Sequence, residues 1–516
     1  MNVMNKLTPI AAGLLIEFSA PAFADQAQDI KELQQQVREL KKESADNKDL
    51  QQQLRELKKE SADNKDLQQQ VRELQKDTGG NNLKFNVDYR VTMDSLEYKM
   101  ADGKKHKNSN LFSNRLELGF GYQPKENLVF SGLLSYNKVF GQNEVNHGMN
   151  QGMGQFDWIV NENPNDNVVR IKEVNVLYLG DNFLGSDLDW TGSIGRRPST
   201  NGFLANNREG YDKHKSPLGH SINVEFDGFS LGVHLEDLTG VSGMAAKICA
   251  GRGVSESSWG RFSSGGTDYA TQDGGLENVD MAGLIFTPYN DGQYDIKAQY
   301  YYATNMLDFA YNPMDPTKPP GPTNPMVPDK NGKMAQVGDL QNFTLSMQVN
   351  GVGEFINDFL DDTVLFASAS ISQSLPDNDM AGNNKGMFGS QDKETGYSFW
   401  VGATFPGFME EDRFGLEYNH GSEYWRSFTY GEDTLIGSKL ATRGNAYEVY
   451  YNIPITGKEF FVQFRYTFID YSHSGSNNFF GNSGMPMTMD KANAAGMGGL
   501  VADTAQDFRI MLRYKY

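Results

Sequence analysis

The chain has 516 residues, a net charge of −19 and a pI near 4.9, and this acidity argues against a nucleic-acid partner, which needs a basic surface. Hydrophobic residues make up 38% of the chain and the mean hydropathy is −0.57, values that argue against membrane-spanning helices but not against a membrane β-barrel, in which only alternate residues face lipid. Cys249 is the single cysteine, so neither an intramolecular disulfide nor a C-x-x-C-H haem attachment site can form.

The N-terminus has the parts of a secretory signal peptide. Lys6 supplies the positive charge, residues 7–16 form a short apolar run, and Ala22-Phe23-Ala24 is a cleavage site of the A-x-A type. No later stretch reaches the roughly 18 apolar residues of a membrane-spanning helix. We therefore expect residues 1–24 to be a signal peptide, and any spanning structure of the exported protein to be a barrel.

A 17-residue repeat occupies residues 33–77, and its units begin at Leu33, Leu50 and Leu67. Within each unit the apolar residues follow the 4-3 spacing of a coiled-coil seam. Gly and Pro are absent from this stretch, which favours a helix of roughly 65–70 Å. We predict that residues 25–80 form a periplasmic coiled-coil stalk that trimerises the protein or reaches toward the cell wall; the alternative is a solvated linker without a partner. The predicted seam consists of Leu33, Val37, Leu40, Leu50, Leu54, Leu57, Leu67, Val71 and Leu74.

From Leu83 onward the sequence alternates between apolar and polar residues, as strands with two different faces do. In residues 460–468, for example, Phe, Val, Phe, Tyr and Phe occupy every second position. We predict an all-β transmembrane barrel of about sixteen antiparallel strands over residues 81–516. The predicted strands span 83–91, 111–122, 127–139, 168–179, 188–196, 220–227, 229–237, 281–289, 293–304, 339–351, 361–373, 394–406, 412–420, 443–453, 459–471 and 506–516.

The predicted connections alternate strictly between short and long. This is typical of outer-membrane barrels, which have short periplasmic turns, long outer loops and an even number of strands. Both ends of the barrel should then lie in the periplasm. The short connections are 123–126, 180–187, Asp227-Gly228, 290–292, 351–360, 407–411 and 454–458, and the long ones are 92–110, 140–167, 197–219, 238–280, 305–338, 374–393, 421–442 and 472–505.

Two motifs carry a family resemblance: Gly195-Arg-Arg-Pro-Ser-Thr-Asn-Gly202 and Ile222-Asn-Val-Glu-Phe-Asp-Gly228. They resemble a family of porin-like outer-membrane proteins of unknown function from Gram-negative bacteria, whose members also carry a signal peptide and helical heptads before the barrel. Relatives include barrel components of porin–cytochrome electron conduits. The resemblance implies a porin-like role, fixes no substrate and brings no catalytic residues.

The last nine residues alternate between an aromatic or apolar side chain and a basic one or Met511, and end on an aromatic. They resemble the C-terminal strand of bacterial outer-membrane barrels, whose final aromatic is read by the barrel-assembly machinery. We therefore predict an assembly signal made of Phe508, Ile510, Leu512, Tyr514 and Tyr516.

Charged residues occupy the polar faces of the predicted strands. A Lys or Arg facing lipid at the membrane midplane costs ~2–4 kcal/mol, so we expect these side chains to line a water-filled lumen and tune ion selectivity. The alternative is that they pair with one another and select nothing. Because the first and last strands of a barrel pair, Arg509 and Arg513 should lie near Asn86, Asp88 and Arg90. The predicted lumen residues are Arg115, Glu117, Asp295, Lys297, Glu417, Glu448, Arg465, Arg509 and Arg513.

Arg196 and Arg197 open the third long connection. In general porins the third loop folds inward and narrows the pore, so by analogy we predict that these arginines face a constriction and bind anions through their planar donors. The alternative is a role at the barrel rim or in contact with lipopolysaccharide.

Catalytic and metal-binding motifs are missing from the sequence. It contains no P-loop, no HExxH and no GxSxG. Glu417 and His420 are three apart on a predicted strand and so should point to opposite faces, which argues against a catalytic dyad. We expect neither an enzyme, nor a metal site, nor a cofactor.

The functional prediction is an outer-membrane porin that allows passive diffusion of ions and small hydrophilic solutes. One alternative is a barrel that sheathes an electron-transfer cytochrome of the periplasm or cell surface, and another is an envelope-tethering protein. The expected partners are outer-membrane lipid, lipopolysaccharide, the barrel-assembly machinery and, through the stalk, two further copies of the chain; the sheath alternative adds the cytochrome.

Overall fold

The structure is a computed structural model that describes residues 83–141, 164, 167–197, 201–211, 213–255, 276–309, 311–313, 317, 326–328, 334–353, 356–376, 386–409, 411–429, 434–476 and 485–516. The chain divides into two units, Met1–Ala62 and Asp63–Tyr516, and all described residues belong to the second. The predicted signal peptide, stalk and seam therefore lie outside the described residues. Within the described ranges, no helix has both the length and the apolar character needed to cross a membrane.

Sixteen antiparallel strands form one closed barrel, and each pairs with its neighbours in chain order. They are β1 (Leu83–Met100), β2 (Lys105–Lys125), β3 (Leu128–Val139), β4 (Arg170–Gly180), β5 (Trp190–Arg197), β6 (Phe226–His234), β7 (Ala245–Val254), β8 (Val279–Asn290), β9 (Tyr294–Ala303), β10 (Asp339–Asn350), β11 (Val364–Leu375), β12 (Thr395–Pro406), β13 (Arg413–Gly421), β14 (Gly444–Thr456), β15 (Phe460–Tyr471) and β16 (Ala502–Lys515).

The barrel closes where β1 pairs with β16. Arg90 lies opposite Arg513 and Asp94 lies opposite Arg509. At the C-terminus, the amides of Val87 and Tyr516 each donate to the other residue's carbonyl at 2.8 Å. The predicted sixteen-stranded antiparallel barrel is confirmed.

Side chains alternate between an apolar outer face and a polar inner face. In β11, Ser368, Ser370 and Ser372 are buried inside, whereas Leu365 and Ile371 are 40% and 52% exposed on the outside. The remaining strands follow the same period of two, which strand geometry imposes. The barrel therefore presents an apolar exterior and keeps its hydroxyl and charged groups within.

The sequence prediction was wrong around residues 220–237. Residues 220–225 belong to a connection, and β6 runs continuously through Asp227 and Gly228, where a turn was predicted. Gly228 lies opposite Gly195 of β5 and Gly251 of β7, and a Cβ on it would come within 2.0 Å of the Ala250 carbonyl oxygen. This glycine permits close strand packing rather than a turn.

Two predicted long connections contain strand structure. The first, 92–110, is largely the paired ends of β1 and β2, joined by a tight turn in which Gly103 has φ +82° and the Asp102 carboxylate accepts from the Lys104 amide at 3.0 Å. The other, 238–280, contains the whole of β7.

Short elements decorate the connections of the described part of the chain. Four short α-helices are α1 (Ala205–Arg208), α2 (Glu236–Thr239), α3 (Asp358–Asp361) and α4 (Met489–Ala494), and two 3-10 turns span Met387–Gly389 and Lys439–Ala441. Small two-stranded pairs join Gly202–Phe203 to Lys215–Leu218, Ile222–Asn223 to Phe428–Thr429, Leu307–Phe309 to Met334–Gln336, and Tyr311–Pro313 to Met326–Pro328.

Candidate functional site in the barrel lumen

The connection between β5 and β6 folds into the lumen, and we call its residues 201–225 the lumen loop. It begins with the parallel pair of Gly202–Phe203 and Lys215–Leu218 and continues into α1. A Cβ on Gly202 would lie 2.2 Å from the Pro217 carbonyl oxygen, so this pairing needs glycine. Leu204 has φ +78° although it is fully buried, and packing holds this unfavourable backbone conformation.

Glu209 fixes the charged end of the lumen loop to the barrel seam. Its carboxylate accepts from Arg513 Nη1 of β16 at 2.6 Å and lies 3.0 Å from Arg208 Nη2 and 3.6 Å from Arg465 Nη1. Its carbonyl oxygen accepts from Lys515 Nζ at 2.8 Å. One loop residue thus contacts cations from the loop itself and from two adjacent strands.

Tyr211 extends this anchor to the first strand. Its hydroxyl donates to Asp88 Oδ2 at 2.5 Å, and Lys515 Nζ lies 3.8 Å from the centre of its ring. Asp88 in turn accepts from Arg513 through Nε at 2.9 Å and Nη2 at 2.5 Å, a bidentate pair across the β1–β16 seam. The lumen loop and the closing strands therefore share one hydrogen-bonded network.

A second ionic contact involves the connection between β13 and β14. Lys439 of that connection contacts Glu448 of β14 and lies 2.6 Å from Glu417 Oε2 of β13. Arg208 Nη1 of the lumen loop is 3.2 Å from Glu448 Oε1, and Trp400 Nε1 donates to Glu417 Oε2 at 2.9 Å. Two connections thus meet over two wall carboxylates.

The other side of the lumen loop is apolar. Phe203, Leu204 and Leu218 are buried in a cluster with Phe366 and Trp400 of the wall. Farther along, the loop contributes to a larger buried cluster that joins it to the wall and to three other connections. Its members are Ile222, Val224, Phe226, Val279, Tyr301, Ala303, Met306, Leu307, Met334, Val337, Leu340, Met387, Phe388 and Phe428.

His220 links the lumen loop to the wall opposite the seam. Its Nδ1 is 2.7 Å from Ser368 Oγ of β11 and its Nε2 is 2.9 Å from Ser398 Oγ of β12. Both serines are buried, and the imidazole lies between Trp400 and Trp425 at ring distances of 5.8 and 5.7 Å. The loop is therefore anchored on two sides of the lumen, by ion pairs at the seam and by a neutral ring at β11 and β12.

Burial and charge act in opposite directions on the titratable groups of the loop. Burial raises the pKa of Glu209, but Arg208, Arg513 and Arg465 outweigh it and hold that pKa well below 4.5. Burial raises the pKa of Tyr211, and the neighbouring Asp88 raises it further. Burial lowers the pKa of His220 to about 3. At neutral pH the loop therefore presents a carboxylate, a phenol and a neutral imidazole.

All nine predicted lumen residues are buried, and each has a charged neighbour. Arg513 lies on Asp88 and opposite Arg90, whereas Arg509 pairs with Asp94 at 2.5 Å, farther along β1 than expected. The remaining ion pairs are Arg115 with Glu117 and Asp88, Lys172 with Glu117, Lys297 with Asp295, Arg465 with Glu209, and Lys439 with both Glu417 and Glu448.

Arg196 and Arg197 lie apart from this central network. Arg196 donates from Nε to the Lys172 carbonyl at 2.9 Å and is 3.8 Å from Asp227, while Arg197 donates to Asn175 Oδ1 at 2.8 Å. Their constriction role stays a prediction. The loop cation that reaches the centre is Arg208, which the sequence analysis did not single out.

Groups suited to catalysis or metal binding do not converge in the described part of the barrel. Glu417 contacts Trp400 and Lys439, whereas His420 lies 3.0 Å from Asn445 Oδ1 and beside Tyr397, on the other face of β13. A search of the described residues finds no group of three or more His, Cys, Asp or Glu that could hold a metal ion.

Residues 105–516 match the model of a family described as "Protein of unknown function (DUF3373)". The chain belongs to this family. No curated protein sequence matches it.

Several solved structures share the course of the chain at low identity. The high-pH structure of Pseudomonas putida OprB is 13% identical, with a TM-score of 0.43 and coverage of 84% of this chain and 94% of that one. The anion-selective porin from Comamonas acidovorans is 10% identical, with a TM-score of 0.42 and coverage of 84% and 100%. Salmonella typhi OmpF in complex with daunomycin is 11% identical, with a TM-score of 0.41 and coverage of 85% and 98%. The function is argued below from the lumen itself.

Proposed function

We propose that the protein is an outer-membrane channel through which ions and small hydrophilic solutes diffuse passively, with the lumen loop as its constriction. One observation carries this: sixteen strands close with an apolar exterior and a charged, hydroxyl-rich interior. Barrels of this size enclose an aqueous passage, and a polar inner face is what such a passage needs.

The lumen loop sets the width of the proposed passage. Glu209 and Tyr211 hold it to β1 and β16, and His220 holds it to β11 and β12. Side chains at these contacts are almost fully buried, so the passage must run beside the docked loop or open as the loop undocks. Permeability therefore depends on the strength of these anchors.

The cytochrome-sheath alternative is less well supported. A protein inside the barrel would have to displace the lumen loop and the apolar cluster it shares with other connections. Trp400, Trp425 and Arg513, which such a partner would meet, are at most 1% exposed. The envelope-tethering alternative rests on the predicted stalk at residues 33–77 and is tested by deleting it.

Assembly and partners are also part of the proposal. Phe508, Leu512 and Tyr514 are exposed on the outer face of β16, where they would contact lipid and be available to the assembly machinery. We place the short-turn end and both termini of the barrel in the periplasm, the long connections at the cell surface near lipopolysaccharide, and trimerisation in the predicted stalk.

Single-channel recording tests the proposal. Purified, heat-modifiable protein in a planar bilayer under a salt gradient should give stable conductance steps, and the reversal potential would give the sign of the selectivity. Boiled protein serves as the control. The absence of steps from correctly folded protein would refute the diffusion channel, and haem that copurifies in stoichiometric amount would favour the sheath.

A further inference from the structure

A cavity of about 80 Å³ lies between the lumen loop and the inner face of β6 to β9, apart from the central ion network. The loop covers it with the segment around Ser216, Pro217 and Ile222. Its polar lining consists of Arg197, Ser216, Ser230, Lys247, Cys249 and Gln299.

The polar lining is positively charged. Arg197 and Lys247 both act electrostatically on the Cys249 thiol, so the two cations converge on that atom. The bond from Arg197 to Asn175 uses one of its five N–H donors. None of the described residues that line the cavity is a carboxylate. An anion entering it would meet two cations and no opposing negative charge.

The rest of the cavity is apolar and small. Ile222, Phe226 and Tyr301 form much of its wall, and each is buried. A cavity of about 150 Å³ accommodates benzene, so one about half that size holds roughly four non-hydrogen atoms. Chloride would leave the apolar wall without a partner, and a tetrahedral dianion would press oxygens against it.

We propose that this cavity binds a small monocarboxylate of the size of acetate. The carboxylate would lie toward Arg197 and Lys247, whose donors suit it, and the methyl group toward the apolar wall. This binding site goes beyond passive diffusion, since it adds a specific stopping place to the lumen, and it does not depend on whether the barrel conducts.

Cys249 is the only cysteine of the chain and lies half-buried in the cavity wall, so it serves as a reporter. Iodoacetate and iodoacetamide are nearly equal in size but differ in charge. In either reaction the thiolate sulfur attacks the CH₂ carbon, a C–S bond forms and iodide leaves. Labelling rates for the folded barrel are divided by those for the urea-unfolded chain, which removes the intrinsic difference between the reagents.

We expect folding to favour iodoacetate over iodoacetamide by about tenfold, because one or two unit charges lie within a few ångströms under partial screening. Acetate should slow the labelling at constant ionic strength, and acetamide should not. Lys247→Gln should remove most of the preference, while Arg252→Gln, an exposed position on the same strand, should preserve it.

Three results would overturn the proposal. They are equal protection by acetate and acetamide, no charge preference in the folded barrel, and a thiol that reacts only after unfolding. Acetate protection of the wild-type chain needs no variant, so misfolding of Lys247→Gln cannot obscure the answer. Labelling also requires no conductance, so failure of this site and failure of the channel are distinguishable.

Discussion

Replacing Glu209 by Gln removes the charge that holds the lumen loop to the barrel seam while keeping the shape of the side chain. In the wild type this buried carboxylate accepts from Arg513 at 2.6 Å and faces Arg208 at 3.0 Å and Arg465 at 3.6 Å. Removing one member of a buried ion pair costs ~3–5 kcal/mol. Arg513 keeps its bidentate partner Asp88, so we take the lower value, about 3 kcal/mol.

A loss of about 3 kcal/mol raises the population of the undocked loop about 150-fold, because every 1.4 kcal/mol corresponds to a factor of ten. Trypsin added to the folded barrel should then cut after Arg208 roughly 100-fold faster, since cleavage of a transiently opened segment follows its population. Single-channel records of Glu209→Gln should show larger or noisier open levels than the wild type.

Glu97→Gln is the matched control. Glu97 pairs with Lys105 at 2.7 Å in the hairpin end of β1 and β2, where both groups contact solvent. Exposed pairs of this kind contribute little, so neither cleavage nor conductance should change. Cleavage within twofold of the wild type for Glu209→Gln, with the barrel still heat-modifiable, would show that the ion pairs do not hold the loop.

Three further predictions follow from other contacts. The pKa of His220 falls from 6.5 to about 3 on burial, so the undocked loop binds a proton that the docked loop refuses, and docking should weaken by about 1.4 kcal/mol per pH unit as the pH drops from 6.5 toward 3. His220→Gln should remove this component from the pH profile of tryptic cleavage, and an unchanged profile would contradict the role of the imidazole. Lys439→Met leaves Glu417 and Glu448 without their shared cation and should cost ~3–5 kcal/mol, seen as a lower heat-modifiability temperature; an unchanged temperature would mean that water or Arg208 replaces the lysine. Deleting residues 33–77 should leave conductance per barrel unchanged because the strands close among themselves, whereas a loss of envelope integrity alone would favour the tethering alternative.

The barrel was predictable where one face of a strand meets an apolar exterior and the other a polar lumen. β15 and β16 have this contrast throughout, so alternation in the sequence located them. The ends of β1 and β2 lack it: residues 105–110 are exposed and polar, and a strand with two polar faces leaves no alternation to detect. β7 was missed for another reason, since it is built largely from Ala and Gly, which have low strand propensity, and Ile248 alone is a strongly exposed apolar side chain among its residues.

The lumen loop shows why the candidate site was only partly accessible from the sequence. Ile222, Val224 and Phe226 alternate as a strand does, and the first two instead pack inside the barrel against residues such as Tyr301 and Phe428, which alternation cannot distinguish from contact with lipid. The wall charges followed from period-two geometry, because a charge facing lipid is too costly. Their partners Arg208 and Glu209 lie in an irregular segment more than 200 residues before Arg465, and only the folded path of the chain brings them together. The local pattern therefore predicts which wall residues face inward, while the closure of the passage depends on long-range contacts that this pattern does not contain.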